Sequence, residues 1–184
     1  MLPINLLPPP YDETAFIAGG YAACPGLAED IDVWCPVDII NVDDPFERVW
    51  SERNHIATWL HDHFSTFVEH DGPDSPRQTR PRSWHADHTQ LNTTFEGYHL
   101  QIPIRRAGVV TLSGASLPYH IIAVGGDVDE VLSSFDITTH AIALTRKGVV
   151  KSEHWTSVLD EPRVINQKFT TDARLAKIRA RYGR

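Results

Sequence analysis

Two glycines, Gly19 and Gly20, stand ten residues ahead of two aspartates, Asp30 and Asp32, that are separated by a single isoleucine. Glycines that open a short helix let backbone N–H groups approach a phosphate closely, and the helix start adds partial positive charge. If "DIDVW" is a strand, its side chains alternate, so Asp30 and Asp32 share one face while Ile31 and Val33 turn into a core. Adjacent carboxylates repel, and a divalent cation between them removes that penalty. A phosphate cradle followed by a clamp for Mg²⁺ or Mn²⁺ is equipment for activating a nucleoside triphosphate. Two ions call for a third carboxylate. Asp136 in "SSFDITT", flanked by Phe135 and Ile137, supplies one, with Asp127 and Asp129 as rivals.

The run "AGGYAACPGLAEDIDV" resembles the signature of nucleotidyltransferases related to DNA polymerase beta: a hydrophobic residue before Gly-Gly or Gly-Ser, a spacer of roughly ten residues, then two acids alternating with hydrophobics. "FDI" is similar to the third acidic element of that family. The resemblance covers about residues 16 to 34 and 131 to 144, and Tyr21 follows the second glycine. It implies phosphate binding by Gly19, Gly20 and Tyr21. It also implies metal binding and catalysis by Asp30, Asp32 and Asp136, the last helping to deprotonate the acceptor hydroxyl. The implied reaction transfers a nucleoside monophosphate from an NTP to a hydroxyl, with release of pyrophosphate. The acceptor is an RNA end, a protein side chain or a small molecule.

Further cations stand where they can meet phosphate. Arg77, Arg80 and Arg82 lie in "DGPDSPRQTRPRSW", residues 71 to 84, whose three prolines break every periodicity and predict an exposed loop. Guanidinium forks match phosphate oxygens, so this loop is a candidate clamp for a nucleotide or an RNA backbone. Trp84 is placed to stack on a base. Arg174, Lys177, Arg179, Arg181 and Arg184 make a basic terminal helix, either a phosphate-facing stripe or a solvated face. His61 and His63 are two apart and diverge on a helix. His85 and His88 have acceptable metal spacing, which keeps a metal-dependent phosphohydrolase open as an alternative. His120 and His140 fall on expected strands near Asp136, as acceptor-orienting groups or core histidines.

These residues must be positioned by a mixed architecture. "NLLPPPYDE" reads as an extended, polyproline-like lead-in, "TAFIAGG" as a buried strand and turn, "GGYAAC" as a short helix and "DIDVWCPV" as a strand. Asp44, Pro45 and Glu47 form a capping signature for a helix whose apolar spacing runs to about residue 69. Strands follow at "GYHLQIPI", "GVVTLS" and "YHIIAV". A capped helix "DVDEVLSSF" comes next, then the strands "DITTHAIAL" and "VVKS", and the terminal helix "TTDARLAKIRARYG". The expectation is a single α+β domain over 1–184, a nucleotidyltransferase-like mixed β-sheet flanked by helices.

The 184 residues are 41% hydrophobic and 22% charged, in the range of one globular domain. A formal net charge of −7 argues against coating nucleic acid by bulk electrostatics, so any grip on RNA must be local. The sequence holds two cysteines, Cys24 and Cys35, no secretory start and no apolar run of membrane-spanning length. Reduced thiols, a cytoplasmic location and no membrane partner are expected. The remaining alternative is a catalytically silent nucleotide or RNA sensor on the same scaffold.

Overall fold

The computed structural model describes residues 7–38, 41–44, 47–49, 51–52, 55–56, 58–59, 67–70, 104–112, 117, 119–165 and 170–183. The loop at 71–84 with Arg77, Arg80, Arg82 and Trp84, the histidines His61, His63, His85 and His88, residues 97–103 of the strand expected at 97–104, and Arg184 lie outside the described residues.

The chain forms a mixed α+β fold around a seven-stranded sheet. The strands are β1 (Phe16–Ala18), β2 (Ile31–Pro36), β3 (Phe67–His70), β4 (Ile104–Leu112), β5 (Tyr119–Val124), β6 (Ile142–Thr145) and β7 (Gly148–Lys151), in the spatial order β3-β4-β5-β2-β1-β6-β7. β2 and β5 pair in parallel and every other neighbouring pair is antiparallel. The helices are α1 (Tyr11–Thr14), α2 (Gly20–Ala23), α3 (Val128–Ser133) and α4 (Asp172–Arg181), with helical turns also at 47–49, 51–52, 55–56 and 58–59. Among the described residues, no helix is long and apolar enough to cross a membrane.

Strand alternation divides the core. Ile17, Ile31, Val33 and Cys35 turn to one side of the sheet, where Tyr11, Val49 and Ile56 cover them. Phe16, Ala18 and Trp34 turn to the other, against Val131 and Leu132 of α3. Helices thus bury apolar surface on both faces of the central strands, which explains why β1 is buried at all three positions. Phe16 stacks on Trp34 at 6.5 Å between ring centroids, and Phe135 meets Trp34 edge-on at 5.9 Å. These pairs fix the loop after α3 against the sheet.

Local signals account for most elements. Asp127 caps α3 through a full capping box with Glu130, leaving its carboxylate occupied in capping. Asp44 Oδ1 accepts from Glu47 N at 3.0 Å at the start of the helical turn 47–49, as the sequence predicts. Thr171 caps α4.

Three expectations need correction. The helix does not reach residue 69: Phe67–His70 is strand β3, paired with Val109–Leu112, because ladder bonds to β4 satisfy a backbone whose apolar residues suit either period. The proline-rich lead-in is not polyproline-like throughout. Pro9 and Pro10 lie in a turn and Tyr11–Thr14 is one helical turn, drawn in by the buried Tyr11 ring and its hydroxyl, which donates to Glu52. The strand expected over 136–144 begins only at Ile142. Before it, Ile137 makes a lone bridge to Val164 and Thr138–His140 form a 3-10 turn. Thr138 N donates to Arg163 O, and Thr138 Oγ1 accepts from Arg163 N and Thr156 Oγ1, so this segment is pinned by loop contacts instead of a ladder.

Candidate functional site

Strand order brings the sequence candidates to one end of the sheet. β1 ends at Ala18 opposite Asp32 in β2, and Asp32 pairs in register with His120 of β5 on its other side. Ala18 also faces Ala143 near the start of β6, so the 3-10 turn that carries His140 enters at the same end.

Gly19 leaves β1 with φ +91° and ψ −147°, a conformation that L side chains rarely adopt, and caps α2. A Cβ at Gly19 would lie 3.6 Å from Asp32 Oδ2 and 3.9 Å from the Phe135 ring. The glycine turn and the second aspartate are therefore direct neighbours. Tyr21, the third phosphate-binding candidate, packs partly buried against the core cluster that includes Ile17 and Val33.

The two aspartates are placed differently. Asp32 lies within β2, whereas Asp30 stands one residue outside it, because the ladder to β5 starts at Ile31. Strand alternation therefore orients Asp32 alone. Both are half-buried.

Asp136 is 1% exposed and lies in a dense polar set. Arg174 of α4 grips it with both arms of its guanidinium, Nε donating to Oδ2 at 2.5 Å and Nη2 to Oδ1 at 3.1 Å, and Thr170 Oγ1 donates to Oδ2 at 3.1 Å. Of its rivals, Asp127 is the cap of α3 and Asp129 is exposed in the first turn of that helix. Among the described residues, no group of three or more His, Cys, Asp or Glu converges as a metal cage.

The basic terminal helix is the least anticipated part of the site. Arg174, Ile178, Arg181 and Tyr182 recur at helical spacing and face the protein. Ile178 is buried, Tyr182 Oη lies 3.1 Å from His140 Nε2, and the two rings meet edge-on. Glu29 gathers Lys177 Nζ at 2.8 Å and Arg181 Nη2 at 2.7 Å, while Arg179 points elsewhere, to Glu161 at 2.6 Å. A Cβ at Gly20 would stand 3.3 Å from Arg181 Nη1, so this guanidinium lies beside the glycine turn. The 174/177/181 spacing around Ile178 was the available signal. Nothing in sequence tied it to Glu29 or Asp136.

Burial pushes His140 down to about 4, and the nearby Arg174 and Arg181 act in the same direction, against Asp136 and Asp32. The ring is neutral at pH 7. Hydrogen bonds from Lys177 and Arg181 hold Glu29 below the usual carboxylate range. Cys24 and Cys35 are free thiols, and burial pushes Cys35 well above the ordinary thiol value, which suits packing and not nucleophilic chemistry.

In comparisons with protein-family models, curated proteins and solved structures, nothing matches this chain.

Proposed function

We propose that this chain is a metal-dependent nucleotidyltransferase that moves a nucleoside monophosphate from an NTP to a hydroxyl acceptor and releases pyrophosphate. The observation that carries the reading is the meeting of the positive-φ Gly19 turn with the Asp32 carboxylate, 3.6 Å from where a Gly19 side chain would begin. A turn without side chains next to an acid suits a triphosphate accompanied by a divalent cation: the Gly19 N–H is given to Ile142 O at 3.4 Å, and the start of α2 at Gly20 leaves the backbone open to phosphate oxygens beside a carboxylate for the ion.

Asp32 and Asp30 are the residues that would hold Mg²⁺ or Mn²⁺, which when bound supplies charge neutralisation on the phosphates. Gly19 and Gly20 let the phosphate approach the backbone. Asp32 is fixed in the ladder between β1 and β5, so its carboxylate is oriented before substrate arrives. Asp136 fits the ion less directly, because both of its oxygens accept from Arg174 in the conformation described. In this reading Asp136 is the third acid once its fork with Arg174 exchanges.

The test is incubation of the protein with each α-labelled NTP, Mg²⁺ or Mn²⁺ and total RNA, following pyrophosphate and the label. Asp30→Ala and Asp32→Ala are expected to remove turnover while leaving the circular dichroism spectrum unchanged. Full turnover in either variant rejects the assignment. Nucleotide binding without pyrophosphate release shifts the weight to a silent sensor.

A further inference from the structure

Arg181 combines three properties that an ordinary surface arginine lacks. Its side chain is only 15% exposed. One arm, Nη1, stands 3.3 Å from where a Gly20 side chain would begin, at the turn whose other glycine neighbours Asp32. The other arm, Nη2, is held by Glu29, a carboxylate that is 58% exposed and shares its charge with Lys177. A largely buried cation is thus fixed beside the glycine turn by a carboxylate that is itself 58% exposed, so Glu29 can turn into water without being stranded when another anion takes its place.

We infer that Arg181 binds the terminal phosphates of the nucleoside triphosphate, with Glu29 as the resident anion that yields to them. The inference rests on the nucleotide reading of the Gly19–Asp32 turn. The guanidinium presents a fork matched to phosphate oxygens, and it lies so near Gly20 that a Cβ there would stand 3.3 Å from Nη1. Helix α4 is also held by buried Ile178 and by Tyr182 on His140, so losing Glu29 as a partner does not release the helix. Lys177 keeps a second positive charge beside the exchanging carboxylate. The recognised chemistry is a chain of two or three phosphates and not the base.

A phosphate role and a purely structural ion pair make opposite demands on the two partners. Isothermal titration with Mg²⁺-ATP, Mg²⁺-tripolyphosphate and AMP is carried out on the full chain and on the Arg181→Ala, Glu29→Gln and Arg179→Ala variants. Arg181→Ala is expected to weaken ATP and tripolyphosphate about ten-fold or more and to leave AMP unchanged. Glu29→Gln is expected to tighten both about two- to five-fold, because a competing carboxylate is gone. Arg179→Ala, which loses only Glu161, is expected to match the parent. If Arg181→Ala and Glu29→Gln change ATP affinity in the same direction or not at all, the pair is only a clamp and the inference falls while the nucleotide site stands. If the parent binds neither ATP nor tripolyphosphate, the nucleotide reading itself falls and takes the inference with it. Should Arg181→Ala fail to fold, Glu29→Gln decides by the sign of its effect.

Discussion

Gly19 and Gly20 are adjacent, yet the structure gives them different duties. Gly19 needs φ +91°, so Gly19→Ala meets backbone strain of about 1–3 kcal/mol before its Cβ touches anything. Gly20 has no such φ, and its Cβ would press only on the end of the Arg181 side chain, which can give way. Urea unfolding is therefore expected to show a clear loss for Gly19→Ala and a loss under about 1 kcal/mol for Gly20→Ala, offset in part by alanine's better helix propensity. Equal losses would mean that the turn geometry does not set the difference. The pairing of glycines with Asp32 was legible because it is local: a strand, a turn, a short helix and a returning strand lie within twenty residues, and strand period fixes the face. Asp136 was legible only as a residue type. Its partner Arg174 is distant in sequence, and one-dimensional spacing carries no signal for such a pair.

Helix α4 was readable from its Thr171 cap and its charge pattern, but its docking face was not. A basic helix looks solvated until an acidic surface is brought to it, here Glu29, Asp136 and Glu161. The 3-10 turn Thr138–His140 has the sequence of a strand, because Ile137, Thr138 and Thr139 have strand-like side chains, while contacts to Thr156 and Arg163 decide its path. The same turn couples α4 to pH through His140. Its folded value, about 4, lies below its ordinary one of 6.5, so the unfolded chain binds the extra proton between these values. By linkage, this contribution is complete above pH 6.5 and is lost as pH falls toward 4, on the order of 3 kcal/mol in total. Urea midpoints at pH 7.5 and 5.0 are expected to differ, and the difference to shrink in His140→Asn. An undiminished difference in that variant would assign the effect to another group.

Across the molecule, Glu29, the segment 136–140 and helix α4 meet although they are far apart in sequence. Arg181 and Lys177 reach Glu29, Tyr182 reaches His140, and Arg174 neutralises a carboxylate at the sheet end. A formal charge of −7 makes this arrangement consequential, because among the described residues the cation seen beside the glycine turn, Arg181, comes from α4. The Asp136–Arg174 fork measures the coupling. Asp136 is buried and Arg174 is 49% exposed, so Arg174→Ala leaves a carboxylate that water barely reaches, whereas Asp136→Asn leaves a cation that is already half in water. For a fully buried pair, removing one partner costs about 3–5 kcal/mol, and the exposure of Arg174 brings the expectation to the lower end of that range. Asp136→Asn is expected to cost less, and the double variant to be more stable than Arg174→Ala alone, since neutralising the stranded acid removes its penalty. Urea midpoints of the four proteins close this cycle. Strict additivity would mean that the fork is not what holds the helix to the sheet. A strongly non-additive result would make the release of Arg174 from Asp136 an energetic step that any role for Asp136 at a metal ion must include.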